Sequence, residues 1–183
     1  MDIGRRIVLI VLVQTLLAIP AFNTNTKLSA LQFFVGHWEG TVNGEPGSGT
    51  VERDYDLVMN ERFIRVRNKS IYPPQEKNPK GETHEDFGLF SYDGNRKKHV
   101  LRQFHVEGFV NQYVEDTFTP DGKKMVFVTE AIENIPAGWR ARETYQILND
   151  KEFTERFELA APGEDFKLYS ESAFKRAKAG KEE

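Results

Sequence analysis

The sequence predicts an all-β fold, a single antiparallel up-and-down barrel of about ten strands behind a short N-terminal helical turn. Two observations carry this expectation. Short runs rich in β-branched and aromatic residues recur every dozen or so residues, and compact turn sequences separate them. Apolar residues at helical spacing occur in one place only, before the first of these runs.

The chain opens on what reads as an export signal rather than a part of the fold. Arg5 and Arg6 precede the mostly apolar run Ile7 to Leu17, and Ala18-Ile19-Pro20-Ala21 supplies a small-residue cleavage site. At roughly eleven residues the run is too short for a hydrocarbon core, which needs about 20. The expected organisation is a signal peptide over residues 1–21 and one lipocalin-like barrel domain over residues 22–183, in a periplasmic or secreted protein without an integral membrane segment once the signal is cut. Cleavage removes one acidic and two basic residues, so the formal charge goes from −3 to −4. Basic and acidic residues are interspersed, with no Lys/Arg stripe before Lys175-Arg176-Ala177-Lys178, which argues against a nucleic-acid partner. The sequence has no cysteine, so an exported domain must rely on its core, without disulfides or thiolate metal sites.

In chain order, Leu31, Phe34 and Val35 share a face of a helical turn over Ser29 to Phe34. Strands are expected around Trp38–Val42, Gly49–Leu57, Arg62–Asn68, Glu85–Tyr92, His99–Val106, Val110–Phe118, Met125–Ile132, Arg140–Ile147, Phe153–Leu159 and Phe166–Phe174. Asp93-Gly94-Asn95, Pro120-Asp121-Gly122, Asn149-Asp150 and Pro162-Gly163 suit short hairpin turns, making sequential strands antiparallel neighbours. Pro73, Pro74, Pro79 and Gly81 make Tyr72 to Thr83 a surface loop at the rim.

Several residues are candidates for ligand binding. On the fifth strand His99, Leu101, Gln103, His105 and Glu107 share one face, and Val100, Arg102, Phe104 and Val106 the more apolar other. Apolar patterning alone therefore turns Gln103 and His105 outward. Phe63, Arg65 and Arg67 alternate with Arg62, Ile64 and Val66, so an arginine points inward in either register, to grip an anion or to pair with Glu85 or Asp86 next door. Asn111 and Tyr113 share a face and suit a polar pocket wall. The four histidines, His37, His84, His99 and His105, form no local metal motif, which leaves open a site assembled across strands. Glu52, Asp54 and Asp56 alternate as a solvated outer face, and no nucleophile elbow, phosphate loop or serine–histidine–aspartate order is present.

Gly36-His37-Trp38-Glu39-Gly40, at the start of the first strand, resembles the Gly-x-Trp signature of the calycin barrels. That resemblance implies that Trp38 closes one end of the barrel. With His84-Glu85-Asp86-Phe87-Gly88, Phe104-His105-Val106-Glu107-Gly108-Phe109 and the terminal Ala173-Phe174-Lys175-Arg176, the chain resembles more specifically the nitrobindin-type haem-binding barrels and their lipocalin-like relatives. This resemblance implies a pocket near His105 and, with haem bound, a peroxynitrite isomerase-type activity. The sequence departs from it where those proteins hold iron through a histidine of the closing strand, since the neighbouring positions here are Tyr169 and Glu171. Haem would then be held through Tyr169, helped by Arg65 or Arg67, or through His105 from the opposite wall. Three functions follow as alternatives: a small-molecule binding barrel for a hydrophobic or amphipathic ligand, a haem enzyme, or a filled barrel that binds a protein partner. The candidate ligand-binding set is Trp38, Arg65, Arg67, Glu85, Gln103, His105, Asn111, Tyr113 and Tyr169, with no metal ligand and no catalytic residue assigned.

Overall fold

Alternation along each strand becomes inside and outside once ten strands close on themselves. In the computed structural model, which describes residues 26–177, a 3-10 helix, Thr26–Phe34, leads into β1 (Gly36–Gly44), β2 (Gly47–Val58), β3 (Phe63–Tyr72), β4 (Glu82–Asp93) and β5 (Lys98–His105). There follow β6 (Val110–Phe118), β7 (Lys124–Glu133), β8 (Arg140–Asn149), β9 (Glu152–Ala160) and β10 (Lys167–Arg176). Each strand pairs antiparallel with its sequence neighbours, and β10 pairs with β1 to complete a closed barrel without free edges. The expected all-β barrel, its ten strands and its helical turn are what the chain forms. The signal peptide expected over residues 1–21 lies outside the described residues.

The helix closes one end. Phe33 and Phe34 pack against Trp38 and Phe153, and Tyr55, Phe90, Phe127 and Tyr145 extend the aromatic plug inward. Trp38 is fully buried, its Nε1–H donates to the Phe34 carbonyl at 2.6 Å, and the Arg176 guanidinium lies over its ring at 4.1 Å. Arg176 in turn donates to the carbonyls of Val35 and Phe33, tying the closing strand to the helix. Gly40 allows this closure, because a Cβ there would sit 2.0 Å from the Ala173 carbonyl oxygen of β10. His99 pins the helix from another wall, with Nδ1 2.6 Å from Glu115 and Nε2 2.8 Å from the Lys27 carbonyl.

The expected loop after β3 is shorter at both ends, since Tyr72 still belongs to β3 and Thr83 to β4; between them Gln75 and Asn78 bridge. The inward arginine expected in the third strand is a correction. Ile64 and Val66 take the interior face and Arg62 lies in the preceding turn. Arg65 and Arg67 point outward because β2 sets Asp56 and Asp54 directly opposite them; Arg65 bonds Asp56 at 2.6 Å.

Candidate functional site

Away from the aromatic plug the barrel interior turns polar. The residues responsible occupy positions that period-2 alternation assigns to the inner face. Arg53 lies between Val51 and Tyr55 on β2, Glu143 between Ala141 and Tyr145 on β8, and Glu155 between Phe153 and Phe157 on β9. All three are buried. The Arg53 guanidinium donates to Glu155 at 3.4 Å and lies over the Phe174 ring. Burial alone would lower its pKa, but the charge of Glu155, with Asp86 and Tyr55, outweighs burial and the net shift is upward. Glu143 has no such partner. Burial, then the charges of Glu155 and Asp86, push its carboxyl well above the ordinary value.

The layer nearer the open end is set by register. Asn68, Asp86 and His105 are consecutive cross-strand partners on β3, β4 and β5, and Gly88, Gln103 and Asn111 form the next row. The short Asn68 Nδ2–Asp86 Oδ1 bond holds one carboxylate oxygen. Asp86 Oδ2 faces His84 Nε2 at 3.6 Å, and His84 Nδ1 donates to Glu107 at 2.8 Å. Burial opposes ionisation of Asp86, yet the His84 hydrogen bond and the charge of Arg53 hold it below the usual carboxylate value. His84 is raised by Asp86, against burial, with help from Glu107. His105 stacks on Phe109 with ring centroids 4.1 Å apart, and burial lowers its pKa and keeps it neutral. Asn111 Nδ2 lies 3.3 Å from His105 Nε2 and donates to the Tyr113 hydroxyl at 2.9 Å. Burial, then Glu143, raises the Tyr113 phenol.

Six buried side-chain atoms in this region have no hydrogen-bond partner among the described residues: Arg53 Nε, Asn68 Oδ1, Gln103 Oε1, His105 Nδ1, Asn111 Oδ1 and Glu143 Oε2. They come from five strands, β2, β3, β5, β6 and β8, and each belongs to a residue on the inner face.

Of the residues singled out from sequence, Gln103, His105, Asn111 and Tyr113 are brought together here. For Gln103 and His105 this corrects the apolar-face expectation: the face with Phe104 and Val106 is the outer one, where Phe104 meets Phe87 of β4 with ring centroids 6.0 Å apart. Trp38 belongs to the plug. Arg65, Arg67 and Glu85 lie on the outside, Glu85 3.7 Å from Lys69, and Tyr169 sits at the rim beside a bulge of β10, edge-on to Phe157. The Glu52–Asp54–Asp56 outer face is as expected. Arg53, Asn68, Glu143 and Glu155 were not singled out, although the apolar residues two positions away on either side of Arg53, Glu143 and Glu155 mark the inward parity.

No protein-family model matches the chain, and no curated protein matches it in sequence. Among solved structures, Rv2717c from M. tuberculosis is similar with a TM-score of 0.66 at 17% identity, over 84% of this chain and 98% of that one. A de novo designed fluorescence-activating β-barrel is similar with a TM-score of 0.44 at 14% identity, over 81% of this chain and 97% of that one. With the closed ten-strand topology, the first of these shows the fold, a closed antiparallel β-barrel. The nitrobindin likeness stays a resemblance of motifs.

Proposed function

We propose that the protein is an exported binding barrel whose open-end interior holds a small amphipathic molecule, polar groups inward. The observation that carries this reading is six buried polar atoms on the inner face of the barrel without a partner among the described residues. Leaving such an atom unsatisfied costs about 1–3 kcal/mol, so water or a ligand must meet them. Oxygen atoms predominate, with the Arg53 N–H as a donor, which favours a ligand rich in hydroxyl or amide N–H groups. Apolar walls from Val51, Val66, Leu101 and Phe174 would cover the rest of it. Among the described residues no helix is long and apolar enough to cross a membrane. Export rests on the Arg5-Arg6, Ile7 to Leu17 and Ala18 to Ala21 pattern.

Native mass spectrometry of the protein recovered from its own cells tests both parts. The expected result is a chain beginning near Phe22, recovered outside the cytoplasm, with a retained small molecule or a saturable thermal shift from an amphipathic panel. That binding should be lost in Gln103→Leu. A full-length cytosolic chain would overturn export, and a chain without retained compound or thermal shift would overturn binding.

A further inference from the structure

We propose that His84, Asp86 and His105 form a binding site for a divalent first-row transition metal ion such as zinc, at the mouth of the barrel. The site goes beyond the small-molecule reading and does not depend on it. One potential ligand atom from each residue lies within 4.8 Å of the other two.

The fold brings them together in two steps. His84 and Asp86 are two residues apart on β4 and so share the inner face, and His105 stands directly across from Asp86 on β5. Each donor is then prepared by a neighbour. His84 Nδ1–H donates to Glu107 at 2.8 Å, which orients the ring with Nε2 toward Asp86 Oδ2 and leaves Nε2 as the atom that would ligate. In the metal-free protein a proton on Nε2 sits between these two atoms, and a metal ion would take its place. At 3.6 Å that proton is held only weakly, and the separation is close to the roughly 3.3 Å edge of a tetrahedron with metal–ligand bonds of about 2.0 Å. Asn68 occupies the other oxygen of Asp86, leaving Oδ2 as the free one.

The third donor follows from Asn111. Metal binding would require this amide to turn end over end from the orientation in which it donates to Tyr113, so that its oxygen accepts from both the Tyr113 hydroxyl and His105 Nε2–H. His105 Nδ1, which has no partner among the described residues, then carries the lone pair. Imidazoles oriented by a carboxylate and an amide are the usual outer shell of a metal site. Two imidazoles and one carboxylate suit zinc and its neighbours rather than calcium or magnesium. Three protein ligands leave a coordination position for water or a donor atom of a bound molecule. Arg53, whose charge acts on Asp86, is engaged by Glu155.

The test uses tag-free protein stripped with chelator and titrated with Zn²⁺ by calorimetry and with Co²⁺ by visible absorption. The expected result is one ion per chain, with stoichiometric binding abolished in His84→Ala and in His105→Ala. Glu107→Gln, which removes the partner of a ligand, should weaken binding by about 10-fold or more. His37→Ala, on the outer face, should bind as wild type does. Zinc X-ray absorption on the wild-type protein stands apart from any folding defect of the variants, and should show two imidazoles near 2.0 Å. No stoichiometric binding in wild type, binding indifferent to both histidine substitutions, or a spectrum without imidazole scattering would each overturn the site.

Discussion

A single side chain, Trp38, ties three parts of the barrel together, and its removal is felt in all of them. Its ring fills the plug against Phe33 and Phe153, its N–H satisfies a carbonyl of the helix, and Arg176 of the closing strand stacks on it. Trp38→Ala should therefore cost about 3–5 kcal/mol, read by urea unfolding, and a loss under roughly 1 kcal/mol would contradict a closing role. Glu143 acts in the opposite sense. Its carboxyl holds its proton to a higher pH in the folded barrel, raised by burial and by Glu155, Asp86 and Glu158 against the pull of Arg53, whereas the unfolded chain ionises it at about pH 4.3. Above that pH the folded state holds the extra proton, so this group's contribution to stability falls as pH rises, until the folded pKa is reached. Glu143→Gln removes the titration. Its stability relative to wild type should grow as pH climbs from about 4 toward neutrality, and a pH-independent difference in parallel denaturant titrations would show that Glu143 is ionised in the fold. Both residues were unequally legible in the sequence. A Gly-x-Trp after a helical turn announces a plug, while a lone glutamate between Ala141 and Tyr145 announces its inward direction but not what it meets there.

At the scale of elements, strands were easier to read than the turns that join them. Asp93-Gly94-Asn95 spells its own geometry, as the Asp93 carboxylate accepts from the backbone N–H groups of Asn95 and Arg96. The β2–β3 connection contains neither glycine nor proline, yet Met59, Asn60 and Glu61 all adopt left-handed backbone, with φ of 53°, 56° and 59°. Such a conformation costs a residue with a side chain roughly 1–2 kcal/mol, and asparagine least among them. Met59 is 70% exposed and has little packing to lose. Met59→Gly should raise stability by about 0.5–1 kcal/mol, the relief of strain exceeding the added freedom of the unfolded chain. A lower melting temperature for this variant would mean that the methionine side chain stabilises the turn. Apolar pattern does not give the inner face of β5 for a related reason: the more apolar face of a strand is the inner one only where the core is apolar, and beyond Leu101 this barrel's interior is polar while Phe87 and Phe104 cover each other outside.

For the molecule as a whole, closure decides stability and the graded interior decides function. Ten strands without a free edge, in a chain without cysteine, hold together by pairing and by one aromatic plug. That plug leaves the open half to polar residues, and this bears on the haem that the motif resemblance implies. The residues present do not fit it. Tyr169 sits at the rim, where burial raises its phenol pKa, away from the tyrosinate an axial ligand needs, and Arg65 and Arg67, which were to assist it, face the solvent. His105 does face inward, but the space around it is walled by Asn68, Asp86, Gln103 and Asn111, with Arg53 and Glu143 deeper, whereas a porphyrin needs apolar faces. Haem titrated into the wild-type protein should accordingly give no saturable, one-to-one Soret shift, and Tyr169→Phe should leave the titration unchanged. A tight complex lost in His105→Ala would show that the polar layer rearranges around the ring, and a tight complex lost in Tyr169→Phe would restore the closing strand as the iron-binding wall.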